Sequence, residues 1–282
     1  MADLSDYIAH LQEQIEPLLE QGLAEDALNI LNEALEKKAG EPHPIAAILD
    51  LRGTIYYQFD YIDYAIQDFE NGIAALEEGP QDNQLAGSLH SSLGAAYHAS
   101  DNLEQAIHHW QAAMGYYQSN LPPLHVDTAT IANNLGFLYK QSGDMDSAEN
   151  SFLRALQLLH GELGQYDAFT ATVFCNLGSL YQQAGFHDQA KEMHQTALTT
   201  RSKMLGSAHP DTAQSHNNMA LTLMSAGEYD EARSYFEASL KSFGSLGPEF
   251  NEDYEAARDN YIDLLREVGE YELADDLLAR YS

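Results

Sequence analysis

The sequence predicts an all-α solenoid of about seven helical hairpins. Three observations carry that expectation: a marker alanine recurs at a near-constant interval, apolar and small residues within each interval fall at helical spacing, and the junctions between intervals break helices. Ala148, Ala190, Ala232 and Ala274 stand 42 residues apart, Ala106 precedes them by 42, Ala65 by a further 41 and Ala27 by a further 38. The units fall at approximately 4–38, 45–79, 86–119, 128–160, 170–204, 212–244 and 254–281, a single domain over 1–282 with no room for a second.

The first unit turns at Gly22 before Ala27 and closes at GEPHP. The second carries a dense aromatic set, Tyr56, Tyr57, Phe59, Tyr61, Tyr64 and Phe69, and closes at EGPQDN. Tyr56 and Phe69 match core positions of the other units. Tyr57, Phe59, Tyr61 and Tyr64 are left as either a binding platform or packing between repeats. The third unit has Gly94 where a paired helix must come close, then Ala106 and Trp110, and ends in SNLPPLHVD. In the fourth, Leu135, Gly136 and Tyr139 mark one amphipathic helix and Ala148, Phe152, Ala155 and Leu156 the next, with Gly143 at the turn between them. LGQYD, LGSAHPD and FGSLGPE separate the remaining units, whose turns hold Gly185, Gly227 and Gly269. Asp127 and Asp211 stand where N-caps are expected, with Gln214 completing an Asp-x-x-Gln capping box.

Composition narrows the function. There are 44 Asp and Glu against 13 Lys and Arg, a formal charge of −31, and no Lys or Arg lies between Arg52 and Lys140. That balance argues against capture of nucleic-acid phosphates or anionic lipid. It fits either solubility in water or brine, or a basic partner. Cys175 is the one cysteine, so no intramolecular disulfide can form. The N-terminus MADLSDYIAHLQEQIEP lacks a basic, then apolar leader, and no segment has 18 uninterrupted apolar residues, so the expectation is a soluble cytoplasmic protein without membrane insertion.

The pattern Asn-Leu-Gly-x-Leu-Tyr, then Gly, then Ala, then an aromatic, then Ala-Leu resembles the tetratricopeptide repeat. The 42-residue period, NNLGFLY and LGSAHPDTA resemble its long-repeat, kinesin-light-chain-like subclass. The resemblance implies a right-handed superhelix whose first helices line a concave groove for peptides or protein segments. It also implies that the residue two before the small packing residue faces that groove: Asn134, Asn176, Asn218 and Asn260, with Ser92 earlier. An amide offers donors and an acceptor, so a ladder of them can grip an extended backbone of any sequence. The same side chains can instead bond a neighbouring helix and brace the stack. Asn133, Phe137, Gln141, Gln183, Asn217 and Leu221 are expected to shape the pockets. Relatives that clamp a terminal carboxylate need Lys or Arg in this register, where the chain has Ser88, Thr130, Thr172, Gln214 and Ala256, so no carboxylate clamp is expected.

Catalytic chemistry finds little support. His108 and His109 are sequence neighbours that cannot face one ion together, and His194 occupies the slot held by Trp110, Phe152 and Phe236, which reads as core. No metal spacing, phosphate loop or nucleophile motif occurs. The expectation is therefore a non-enzymatic scaffold with no cofactor and no metal, binding a neutral or basic protein segment. Two alternatives stay open. One is an assembly protein that self-associates through Leu273, Leu277, Leu278 and Tyr281, unless Asp275, Asp276 and Arg280 make that last helix its own cap. The other is an acidic protein that sequesters a basic partner through charge.

Overall fold

The structure, a computed structural model, describes residues 2–120, 126–162 and 167–279. Among the described residues there are fourteen α-helices, a short 3-10 turn at Pro248–Phe250 and no strand. Contacts gather the chain into two compact units, Met1–Pro123 and Leu124–Ser282.

The first unit holds three hairpins: α1 (Ala2–Glu20) with α2 (Ala24–Lys37), α3 (Pro42–Gln58) with α4 (Ile62–Glu77), and α5 (Asn83–Ala99) with α6 (Leu103–Asn120). The second holds four: α7 (Val126–Ser142) with α8 (Met145–Glu162), α9 (Ala168–Gln183) with α10 (His187–Leu205), α11 (Pro210–Ser225) with α12 (Tyr229–Phe243), and α13 (Asn251–Glu267) with α14 (Tyr271–Ala279). The periodicity explains the pairing. In α2, Ala27, Leu31 and Ala34 are buried one turn apart, and Ala65 with Phe69 in α4 and Ala148 with Phe152 in α8 repeat the pattern. The marker alanines Ala27, Ala65, Ala106, Ala148, Ala190, Ala232 and Ala274 are all 0% exposed, which leaves no room for a larger side chain at that position of any unit.

One turn closes all seven hairpins. The amide entering the second helix bonds back five residues to the first, as in Leu23 N–H to the Leu18 carbonyl at 2.8 Å and Asp144 N–H to the Tyr139 carbonyl at 2.9 Å. Such a turn needs a left-handed residue, supplied by Gly143 at φ 82° and its counterparts in five units. The second and third hairpins put Asp60 (φ 64°) and Asp101 (φ 60°) there instead.

The expected close approach also holds. A Cβ on Gly136 would stand 2.7 Å from the Phe152 ring, and one on Gly178 would stand 2.8 Å from the His194 ring. The capping differs from the sequence expectation. Asp82 and Asp167 are N-caps, each accepting two amides of the following helix. Asp211 is not a cap: Pro210 takes the first helical position, so the cap falls on His209, whose Nδ1 accepts the Asp211 amide at 3.2 Å. Gln214 turns away from the cap and donates to Asn218 at 3.0 Å, so there is no capping box. Asp127 lies inside the first turn of α7.

Candidate interaction faces on the first helices

In the first unit, α1, α3 and the start of α5 border a cavity of about 490 Å³. Its walls are apolar at Ile8, Ala47 and Leu85, and its polar groups include Asp50, Asp82, His43 and Ser88. The Ser88 hydroxyl donates to Asp50 Oδ2 at 2.9 Å, while Asp50 Oδ1 is buried without a hydrogen-bond partner. Burial raises the Asp50 carboxyl to about 6 against the pull of that hydroxyl. Beside it, His43 Nε2 lies 2.9 Å from Asp82 Oδ2. Burial pushes the Asp82 carboxyl up, but the Leu85 amide and His43 outweigh it, and its pKa ends below the usual value. No Lys or Arg borders this cavity. It can satisfy a donor or a cation, and would repel a carboxylate.

In the second unit, the asparagines link successive first helices. Asn176 Nδ2 donates to Asn133 Oδ1 at 2.8 Å, and Asn260 Nδ2 donates to Asn217 Oδ1 at 3.2 Å. Between these two rungs the acceptor position belongs to Cys175, which faces Asn218. Asn134, Asn176, Asn218 and Asn260 are half-buried. Asn133 and Asn217, expected to shape pockets, are instead 9% and 5% exposed and spend their carbonyls on the next repeat. Their place one residue before the groove-facing position turns them toward the following first helix. Phe137, Gln141 and Gln183 are exposed and Leu221 is half-buried against the core. On the last hairpin Leu273 and Leu278 are 39% and 42% exposed, Leu277 packs partly on the core, and Tyr281 lies outside the described residues.

Two arrangements escaped the sequence reading. Arg201, 7% exposed, reaches from α10 to the Thr172 hydroxyl, the Ser215 hydroxyl and the Asp211 carbonyl at 3.0–3.1 Å. Leu159 and Phe243 fill that position in the flanking units, so a 42-residue offset exposes the substitution. Arg201 thus approaches buried Cys175 from a distant part of the chain; burial raises the thiol more than the guanidinium lowers it. His90 and His109 form the second: their Nδ1 atoms are 2.9 Å apart and their ring centres 5.2 Å apart, so the nitrogens meet head-on across α5 and α6. Burial, then its histidine neighbours, lower His109 to about 4. Of the aromatics that the sequence left as a binding platform or as packing, Phe59, Tyr61 and Tyr64 wall a pocket together with Tyr56, with Leu23, Glu25 and Asp26 of the first hairpin on its border. Among the described residues no group of three or more His, Cys, Asp or Glu is placed to hold a metal ion. No described helix is long and apolar enough to cross a membrane.

With repeat, turn and packing in place, the chain belongs to the tetratricopeptide repeat family, whose model matches residues 84–159 and 169–245. In fold its repeats are similar to those of kinesin-light-chain-type proteins. The fold is similar to that of BtubC (BKLC) from P. vanneervenii, at 22% identity and TM-score 0.68 over 84% of this chain and 94% of that one. It is similar to nearly identical TPR-like repeats of a kinesin-light-chain-type protein from Podosopora anserina, at 17% identity and TM-score 0.62 over 72% of this chain and 96% of that one. A signal transduction ATPase from Pyrococcus horikoshii with a tetratricopeptide repeat sensor gives TM-score 0.78 at 14% identity, over 98% of this chain and 41% of that one. No curated protein sequence matches the chain. Tetratricopeptide repeats in general mediate protein–protein interaction and scaffolding, typically without enzymatic activity.

Proposed function

We propose that the protein is a non-enzymatic scaffold whose first helices take an extended, neutral or basic protein segment. The carrying observation is the cavity between α1, α3 and α5, where Asp50 Oδ1 is buried without a partner and no Lys or Arg is on the border. A lysine, an arginine or a terminal amine of the segment supplies the missing donor, and Ile8, Ala47 and Leu85 receive an apolar neighbour. In the second unit Asn134, Asn176, Asn218 and Asn260 keep amide capacity beyond their bonds in the stack, enough for backbone groups of a segment laid across α7, α9, α11 and α13. Phe137 and Leu221 offer it apolar contact.

A random decapeptide display library selected on the wild type and on Asp50→Asn tests this reading. Enrichment of Lys- or Arg-bearing peptides by the wild type, lost with Asp50→Asn, supports it. Absence of enrichment, or enrichment that ignores Asp50, removes the first-unit cavity as a binding face. If enrichment instead vanishes between 0.05 and 0.5 M salt, on the order of a threefold drop in Debye length, diffuse acidity is responsible and the sequestering reading takes its place.

A second reading rests on the last hairpin, where Val268, Tyr271, Leu273 and Leu278 are 37–63% exposed. An apolar face of that kind supports self-association. Sedimentation of the wild type against Leu273→Glu/Leu278→Glu decides it: a dimer that dissociates with the charges supports the reading, and a monomer in both cases removes it.

A further inference from the structure

We infer that the aromatic pocket on the turn side of the first two hairpins is a second binding site, specific for an arginine side chain of a peptide partner. Tyr56 at the end of α3, Phe59 and Tyr61 in the turn, and Tyr64 in α4 border a cavity of about 620 Å³. The Tyr56 and Tyr61 rings meet edge to face at 6.3 Å, Tyr61 and Tyr64 do so at 6.4 Å, and Tyr56 and Tyr64 are 5.3 Å apart, so the three rings frame one site. Phe59, Tyr61 and Tyr64 are 37%, 54% and 59% exposed, far more than core packing would leave.

Comparison of the repeats with one another sets this pocket apart. Where the second hairpin has Phe59, the next four have Ser100, Ser142, Ala184 and Ala226. Where it has Tyr61, those four have Asn102, Asp144, Phe186 and Glu228, and Phe186 is 54% exposed. In place of Tyr64 stand Gln105, Ser147, Gln189 and Glu231. Three of these four hairpins therefore fold without an aromatic at any of the three positions and the fifth hairpin carries one, so the concentration of three in the second hairpin needs a cause other than the turn.

The chemistry points to a cation. Aromatic faces carry partial negative charge, Glu25 and Asp26 in the first turn of α2 border the same cavity, and no Lys or Arg borders it. Arg52 already lies 5.9 Å from the Tyr56 ring centre, but Asp68 holds it through two bonds of 2.6–2.7 Å, so it is committed to the interior. A guanidinium suits the site better than an ammonium. It stacks on a ring while its planar fork donates to carboxylates, and the pocket presents rings and carboxylates together. This site lies on the inter-helix turns and shares no bordering residue with the Asp50 cavity, so the two can be tested apart.

The test is an NMR titration of protein labelled with carbon-13 in its tyrosine rings. The probes are three acetylated, amidated tripeptides with arginine, lysine or citrulline between two glycines. Citrulline keeps the shape of arginine and removes its charge. Arginine should shift Tyr56, Tyr61 and Tyr64 and bind about tenfold more tightly than citrulline. Tyr61→Asn/Tyr64→Ser, which installs residues that other units already carry, should reduce the arginine probe to the citrulline level while far-ultraviolet circular dichroism stays unchanged. Glu25→Gln/Asp26→Asn should weaken it about threefold or more, and Asp50→Asn should leave it unaltered. Equal binding of arginine and citrulline, equal binding of arginine and lysine, retention in the tyrosine variant, or no tyrosine shifts at all would each overturn the assignment.

Discussion

The imidazole of His194 lies against the bare Cα of Gly178 as the Phe152 ring lies against Gly136, with ring atoms 2.8 Å and 2.7 Å from where a Cβ would stand. The two pairs hold the same position in consecutive hairpins, yet His194 is 1% exposed and neither ring nitrogen has a hydrogen-bond partner. Burial, then the charges of Lys140 and Arg201, lower its pKa from 6.5 to about 4. A depressed folded pKa contributes stability above the unfolded value, lost as pH falls from about 6.5 through about 4. His194→Phe should raise stability at pH 7 by about 1–2 kcal/mol, through apolar burial and removal of two unsatisfied nitrogens. Its advantage should then widen by about 3 kcal/mol on acidification to pH 4. Urea unfolding at the two pH values measures both, and a constant difference would mean that His194 does not titrate between them.

The turns give a prediction of opposite sign in different units. Asp60 and Asp101 adopt the left-handed backbone that glycine adopts in the other five hairpins. A side chain there costs about 1 kcal/mol, less for Asp than for most residues, and glycine's freedom when unfolded returns part of it. Asp60→Gly and Asp101→Gly should each stabilise by about 0.5 kcal/mol, and Gly143→Ala should destabilise by about 1 kcal/mol. Thermal melts of the three single variants are sufficient to show the ordering.

Those two aspartates mark the boundary of what the sequence makes legible. Period, hairpins and turns follow from features that repeat, so Ala148 and Gly143 announce themselves by recurrence. Asp60 and Asp101 do not, because two residue types satisfy one backbone geometry. The same limit applies to the interaction faces. Helical spacing identifies Asn176 as special but not its bond to Asn133, since a side chain at the junction of two first helices can point along the stack or across the open face. The partners of Arg201 and the His90–His109 contact are invisible for another reason: they lie 10–29 and 19 residues apart in the chain, on helices whose relative rotation only packing decides.

Asp50 carries a pH dependence of its own. Its carboxyl is raised from 3.8 to about 6, chiefly by burial. A raised folded pKa means stability that is complete below about pH 4 and is lost as pH rises through about 6. Asp50→Asn keeps an acceptor for Ser88 and removes the buried charge. The variant should exceed the wild type by about 3 kcal/mol at pH 7 and match it near pH 3.5. Chemical denaturation across that range follows the gap. A variant more stable yet unable to select basic peptides would be the signature of a residue retained for binding at a cost in stability.

The asparagine ladder separates bracing from binding. Asn133 is 9% exposed and accepts from Asn176 at 2.8 Å, so deleting either partner leaves a polar group poorly satisfied between α7 and α9. Asn133→Ala and Asn176→Ala should each cost about 1 kcal/mol, and the double variant should cost less than their sum by about 1 kcal/mol, the coupling of one neutral hydrogen bond. Asn134→Ala, at a half-exposed position, should cost less than either. Adding a selected peptide to the same cycle asks the functional question directly. If Asn134→Ala leaves stability nearly unaltered but weakens peptide binding several-fold, the open amides grip a ligand. If the only large effects are the stability losses at Asn133 and Asn176, the ladder serves to hold successive repeats in register.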